Sequence, residues 1–172
     1  MYGPVPSRRL GISLGVDLIP HKVCSFDCLY CQVGVTTRPG ITRRDFGAPP
    51  ERVLEQVEAA LARHPQIQVI TLAGSGEPTL YEPLEALIKG LRQLTPLPLV
   101  LLTNGSLLWD PEVRTAASLL DQVYPSLDAA DEPTFQRINR PAPGKITLAW
   151  LRAGLEPFWR TFPGRCRPDL MR

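Results

Sequence analysis

Residues 67–78 read IQVITLAGSGEP. The run to Ala73 is almost continuously apolar and closes on Gly74, the pattern of a short strand buried on both faces. The period then changes: in YEPLEALIKGLRQL, residues 81–94, Leu84, Leu87, Ile88, Leu91 and Leu94 fall on one helical stripe. The local reading is strand, glycine-rich turn, helix.

The same unit recurs on both sides. Downstream, LPLVLLTNG (97–105) predicts a strand, and DPEVRTAASLL (110–120) a helix with Asp110 as N-cap and Pro111 at its first position. DQVYPSLDA (121–129) predicts a fourth strand, with helical patterns over 132–138 and 147–159. Upstream, SLGVDLI (13–19) puts Leu14, Val16 and Leu18 on one face of a first strand. ERVLEQVEAALAR (51–63) then repeats Val53, Leu54, Val57, Ala60 and Leu61 at helical spacing, with Glu51 near the positive end. This alternation predicts an α/β fold of parallel βα repeats with right-handed crossovers, in a single domain over 1–172.

Composition narrows the function. With 44% hydrophobic and 21% charged residues the chain suits a soluble globular protein, and no apolar run approaches the roughly 20 residues of a membrane span. The start, MYGPVPSRRLGISL, lacks a signal-peptide pattern, so a cytoplasmic location with reduced thiols is expected. A net charge of +2 makes no global case for nucleic acid. Arg8, Arg9, Arg38, Arg43 and Arg44 nevertheless flank the cysteine-rich stretch, either as solvated charges or as a rim attractive to phosphate.

Parallel sheets bind ligands beyond the carboxyl ends of their strands. Those ends carry Gly74-Ser75-Gly76-Glu77-Pro78, Thr103-Asn104-Gly105 and Ser126-Leu127-Asp128, and after Ile19 comes HKVCSFDCLYCQ, residues 21–32. Three of the four cysteines, Cys24, Cys28 and Cys31, fall there, and such crowding points to one metal centre rather than a disulfide framework. With His21 they form a candidate Cys3His zinc site, closed and structural. Asp27 reads as an Asx-type turn, His64 as a helix-end charge and Cys166 as an incidental thiol, while Ser126 and Asp128 are alternatively helix caps.

Cys24-x3-Cys28-x2-Cys31, with Tyr30 before the last cysteine, resembles the cluster loop of the radical S-adenosylmethionine (SAM) superfamily, and GSGEP resembles its glycine-rich second-strand motif. GPVPSRRLG and VDLIPHKVCSFDC resemble more narrowly a branch of iron–sulfur oxidoreductases related to wyosine-type tRNA-modifying enzymes. The resemblance runs from residue 2 to residue 160. It implies a partial TIM-like barrel whose three thiolates hold three irons of a [4Fe-4S] cluster, leaving one iron for SAM. It also implies reductive cleavage of SAM to a 5′-deoxyadenosyl radical, which abstracts hydrogen from a substrate.

By motif position, Gly74, Ser75, Gly76 and Glu77 would meet the methionyl amine, Asn104 would shape the pocket, Ser126 and Asp128 would reach ribose or carboxylate, and Tyr30 would lie near adenine. A reducing donor protein and an unidentified substrate, with tRNA in view, are the implied partners. The family core has six βα units, whereas the pattern here ends after a fourth strand and its helix, and CRPDLMR (166–172) has the look of a truncation or a shifted frame. An open sheet edge and an incomplete substrate pocket are therefore expected, with all SAM and cluster ligands before residue 130. The competing readings are a non-catalytic iron–sulfur or zinc remnant and a tRNA-binding module.

Overall fold

The computed structural model describes residues 1–39, 47–142, 144 and 146–167. Arg43, Arg44 and the tail from 168 lie outside the described residues. In chain order the elements are β1 (Tyr2–Ser7), β2 (Gly11–Val16), β3 (Val23–Cys24), β4 (Arg38–Pro39), α1 (Pro50–Arg63), β5 (Val69–Leu72), α2 (Leu84–Leu94), β6 (Leu99–Thr103), α3 (Pro111–Ser118), β7 (Gln122–Pro125), α4 (Glu132–Asn139), α5 (Leu148–Thr161) and β8 (Arg165–Cys166). One open six-stranded sheet runs β1-β2-β5-β6-β7-β8, and β3 pairs separately with β4. From β2 to β8 every neighbouring pair is parallel; β1 is antiparallel to β2.

The predicted repeats are all present, including the Asp110 cap, whose carboxylate accepts the Glu112 N–H. Two strands of the six-stranded sheet were not predicted. β1 contains two prolines and no regular alternation, which an edge strand tolerates because one row of its backbone groups faces away from the sheet. β8 is the second, and it corrects the expectation that the chain leaves the sheet after the fourth parallel strand. Its two residues carry no apolar pattern, yet Arg165 N–H donates to the Asp121 carbonyl at 2.8 Å and Arg167 N–H to that of Val123 at 3.2 Å. Backbone groups alone suffice to cover part of the β7 edge.

Burial shows why the strands sit as they do. Leu14, Val16, Ile70, Leu72, Leu99, Leu101 and Val123 share one core with Val57, Leu84, Leu87, Ile88, Leu91, Val113 and Leu155 of the helices. Alternate strand residues face the other way, where buried Ser13 and Thr71 join their hydroxyls at 2.7 Å and Leu102 is 37% exposed. The helices therefore cover one face of the sheet, as right-handed crossovers require, and the second face stays mixed in polarity. No helix among the described residues is long and apolar enough to cross a membrane.

This division sets the cost of truncation. Leu87→Ala, at a site with no exposure, should destabilise by about 2–5 kcal/mol, and Leu102→Ala on the other face by about 1 kcal/mol or less, measured by urea unfolding.

Candidate functional site

The carboxyl ends of β2 and β5 are fastened to each other. Ser75 donates its N–H to Asp17 Oδ1 at 3.0 Å and its hydroxyl to Asp17 Oδ2 at 2.5 Å. Lys22 N–H donates to the Ser75 carbonyl at 2.7 Å, and Glu77 N–H to that of Val23 at 3.1 Å. This approach leaves no room for side chains: a Cβ on Gly76 would stand 2.1 Å from the Val23 carbonyl oxygen, and one on Gly74 2.2 Å from the Asp17 carboxylate. Close backbone approach thus explains both glycines of the motif.

Glu77 lies beneath the site with 2% of its surface exposed. Its Oε1 accepts from Thr79 N–H (3.1 Å), the Thr79 hydroxyl (2.6 Å) and the Thr103 hydroxyl (2.6 Å), and its Oε2 from Asn104 N–H (2.7 Å). Burial pushes the carboxyl up, and these hydrogen bonds oppose that shift. A carboxylate so placed ties the ends of β5 and β6 together, and Oε2, with one donor, keeps a second lone pair.

The cysteine loop rests on these strand ends and is pinned from the far side by the end of α4. Asp27 N–H reaches the Asn139 and Arg140 carbonyls, each at 3.1 Å, and Leu29 N–H the Ile138 carbonyl at 2.9 Å. Ala142 N–H returns a bond to the Ser25 carbonyl at 2.9 Å, and Phe26 packs edge-on against Phe135 at 5.5 Å. Asp27 does not form the local Asx turn expected of it. Its Oδ1 instead accepts Thr36 N–H at 2.7 Å, closing the loop across nine residues.

Each of the three sulfurs receives a side-chain N–H from a different part of the chain. Asn104 Nδ2 lies 3.5 Å from Cys24 Sγ, Asn139 Nδ2 3.6 Å from Cys28 Sγ, and Lys22 Nζ 3.1 Å from Cys31 Sγ. Burial, with the charge of Glu77 added, pushes the Cys24 thiol up to about 12, and burial also raises that of Cys28. For Cys31 burial acts the same way but is outweighed by Lys22 and neighbouring N–H groups, which hold the thiol below its ordinary range. Metal binding needs thiolates, and of the three thiols Cys31 is the readiest to ionise.

Beside Cys28 lies a second cluster of groups. Tyr30 donates its hydroxyl to Asp128 Oδ2, which also accepts Asn139 Nδ2 at 2.8 Å. Two acceptors in this cluster, Asp128 Oδ1 and Asn139 Oδ1, are buried with no hydrogen-bond partner among the described residues. Ser126 stands on the same strand end, its N–H bonded to the Thr103 carbonyl at 2.9 Å. The alternative reading of Ser126 and Asp128 as helix caps does not hold for α4, whose N-cap is Asp131.

The predicted strand-end residues thus converge, while other predicted residues do not join them. His21 is exposed, and among the described residues no three His, Cys, Asp or Glu side chains, the three cysteines included, stand grouped around a metal position. Cys166 sits in β8 opposite Val123, its half-buried thiol pushed up to about 11 by burial. Arg8 and Arg9 occupy the β1–β2 turn, at the opposite end of β2 from the cysteine loop. There they line a cavity of about 260 Å³ with Ser7, Leu10, Leu102 and Tyr124, so they are no part of a rim around the cysteines.

Sequence reasoning missed Asp17, Lys22 and Asn139. Lys22 was detectable as a lone cation in LIPHKVC; Asn139, at a helix end, carried no local signal. The loop's fasteners at 138–142 also place part of the site beyond residue 130, where no ligand-bearing residue was expected.

Residues 18–156 match the Radical SAM superfamily. The chain is 42% identical over 164 residues to "GTPase Obg" of Brachyspira hyodysenteriae, covering 95% of this chain and 24% of that protein. It is 41% identical to a UPF0026 protein of Synechocystis sp., covering 99% of this chain and 63% of the relative, and 42% identical to one of Methanocaldococcus jannaschii, covering 81% and 44%. The chain therefore spans less than two thirds of the length of these relatives. Among solved structures, "Native anSMEcpe with bound AdoMet" shares the fold with a TM-score of 0.64 at 20% identity, covering 91% of this chain and 42% of that one. "Structure of TYW1 with a lysine-pyruvate adduct bound" does so with a TM-score of 0.56 at 20% identity, covering 91% and 54%.

Gly76→Ala should cost about 1–3 kcal/mol of stability through overpacking against the Val23 carbonyl, read by urea unfolding of the metal-free protein.

Proposed function

The chain belongs to the radical SAM superfamily, and on that premise we propose that Cys24, Cys28 and Cys31 hold a [4Fe-4S] cluster beside a site for S-adenosylmethionine, in an enzyme that abstracts hydrogen from its substrate. The observation that carries this reading is the pairing of two features at one strand-end site. Three sulfurs each have an N–H donor, and next to Cys28 two buried acceptors lack one.

Buried polar atoms without partners are rare in native proteins, and a ligand is a physical explanation for them. Asp128 Oδ1 and Asn139 Oδ1 are both acceptors, so the matching ligand group is a donor; the two hydroxyls of a ribose supply two. The methionyl amine, also a donor, suits the half-buried backbone around Gly74, Ser75 and Gly76 and the spare lone pair of Glu77 Oε2. Three cysteines leave one iron of a cubane without a protein ligand, which is the position SAM's amine and carboxylate would take. Tyr30, whose hydroxyl is committed to Asp128, would border the adenine through its backbone, and Ser126 and Asn104 would close the remaining sides.

The chemistry that a cluster and SAM supply when bound is one-electron cleavage of the sulfonium to methionine and a 5′-deoxyadenosyl radical, the agent of hydrogen abstraction. The chain's own part is to orient and to exclude water, and the fastened strand ends support that rigidity. The proposed partners are a reducing protein and a substrate on the helix-free face of the sheet. Arg8 and Arg9, exposed residues lining the cavity beside Leu102, favour an anionic group on that substrate, and tRNA, implied by the resemblance, carries one on every nucleotide.

The test is anaerobic reconstitution followed by reduction with dithionite in the presence of SAM. The expected result is four irons and four sulfides per chain with formation of 5′-deoxyadenosine, and loss of both on replacing any of Cys24, Cys28 or Cys31 by alanine. Bound zinc in place of iron would make the loop a structural staple, and a cluster that leaves SAM intact would make the chain a non-catalytic binder.

A further inference from the structure

Lys22 combines an uncommon backbone with an uncommon degree of burial. Its φ is +56°, in the left-handed region that a side chain enters at a cost. The conformation is held from both sides, since its N–H donates to Ser75 and its carbonyl accepts Thr37 N–H at 3.1 Å. The residue is only 2% exposed. Lysine is almost never fully buried unless paired, because an isolated ammonium taken out of water costs several kcal/mol or more.

Among the described residues the hydrogen-bond partner of that ammonium is Cys31 Sγ at 3.1 Å. The other two cysteine sulfurs have neutral amide donors at longer range, 3.5 Å from Asn104 and 3.6 Å from Asn139. The three donors are therefore unequal: among the described residues Cys31 is the sulfur that takes its side-chain hydrogen bond from a cation, and at the closest distance. A lysine required merely to fill space would leave its charge at the surface, as long basic side chains ordinarily do.

We infer that Lys22 is a positioning residue that raises the reduction potential of the proposed cluster through its contact with Cys31. The inference rests on the cluster reading given above. A reduced cluster carries one more negative charge than the oxidised one, and a cation held against a ligand sulfur in a part-buried site stabilises the reduced form more. Hydrogen bonds to the sulfurs and net charge are among the quantities that set such potentials. Lys22 also donates its N–H to Ser75, so the residue that biases electron entry is part of the strand-end fastening under the glycine motif.

The experiment is a potentiometric titration followed by electron paramagnetic resonance, on reconstituted wild-type protein and the K22M, K22Q and K22R variants, with iron and sulfide counted for each. K22M and K22Q should keep the wild-type iron content, yet reduce at least tenfold less favourably, a move of about 59 mV or more to the negative side for one electron. K22R, which keeps the charge, should recover most of the shift. Neutral variants that titrate with the wild type would overturn the inference, and so would an equal shift in K22R, which would assign the effect to shape. Loss of iron from both neutral variants would overturn it as well, making Lys22 a residue of assembly. A wild-type protein lacking iron and sulfide would remove the cluster reading itself.

Discussion

A carboxylate buried as deeply as Glu77 must be surrounded by donors, and that requirement organises the site. Thr79, Thr103 and Asn104 supply them from the turn after β5 and the end of β6. Asn104, fixed by its backbone N–H, then extends its side-chain amide to Ser25 at 2.8 Å and to Cys24. Through the bond from Glu77 N–H to Val23, the segment entering the cysteine loop is tied to the same point. Removing the carboxylate would therefore strand buried donors on two strands at once and loosen the loop above them.

The far side of the loop depends on a separate element. The last carbonyls of α4, which a helix cannot satisfy internally, accept the Asp27 and Leu29 N–H groups. A loop of three cysteines is thus clamped between strand ends on one side and a helix end on the other. The site is a property of the β2–α4 unit as a whole, and the match to the superfamily, residues 18–156, runs from just after β2 to beyond α4.

Much of this was legible in the sequence because it follows from local periodicity. The four apolar strands and the helices between them have periods that a single window contains, and the rule that parallel sheets bind at their carboxyl ends then gathered Cys24, Gly76, Glu77, Asn104 and Asp128 on one side. Contacts across long sequence separations were not legible. Asp17 meets Ser75 58 residues away, and Asn139 meets Cys28 111 residues away, with no pattern near either that records the pairing. β1 and β8 escaped for a related reason: both are held by backbone pairing at a sheet edge rather than by apolar alternation.

The central claim is that the cysteine loop presents an open iron within reach of a second ligand. Electron paramagnetic resonance of the reconstituted, dithionite-reduced protein, recorded before and after adding SAM, tests it most directly. A [4Fe-4S]+ signal that changes on adding SAM is the expected result. A signal indifferent to SAM, or its absence with zinc in the loop, would contradict it.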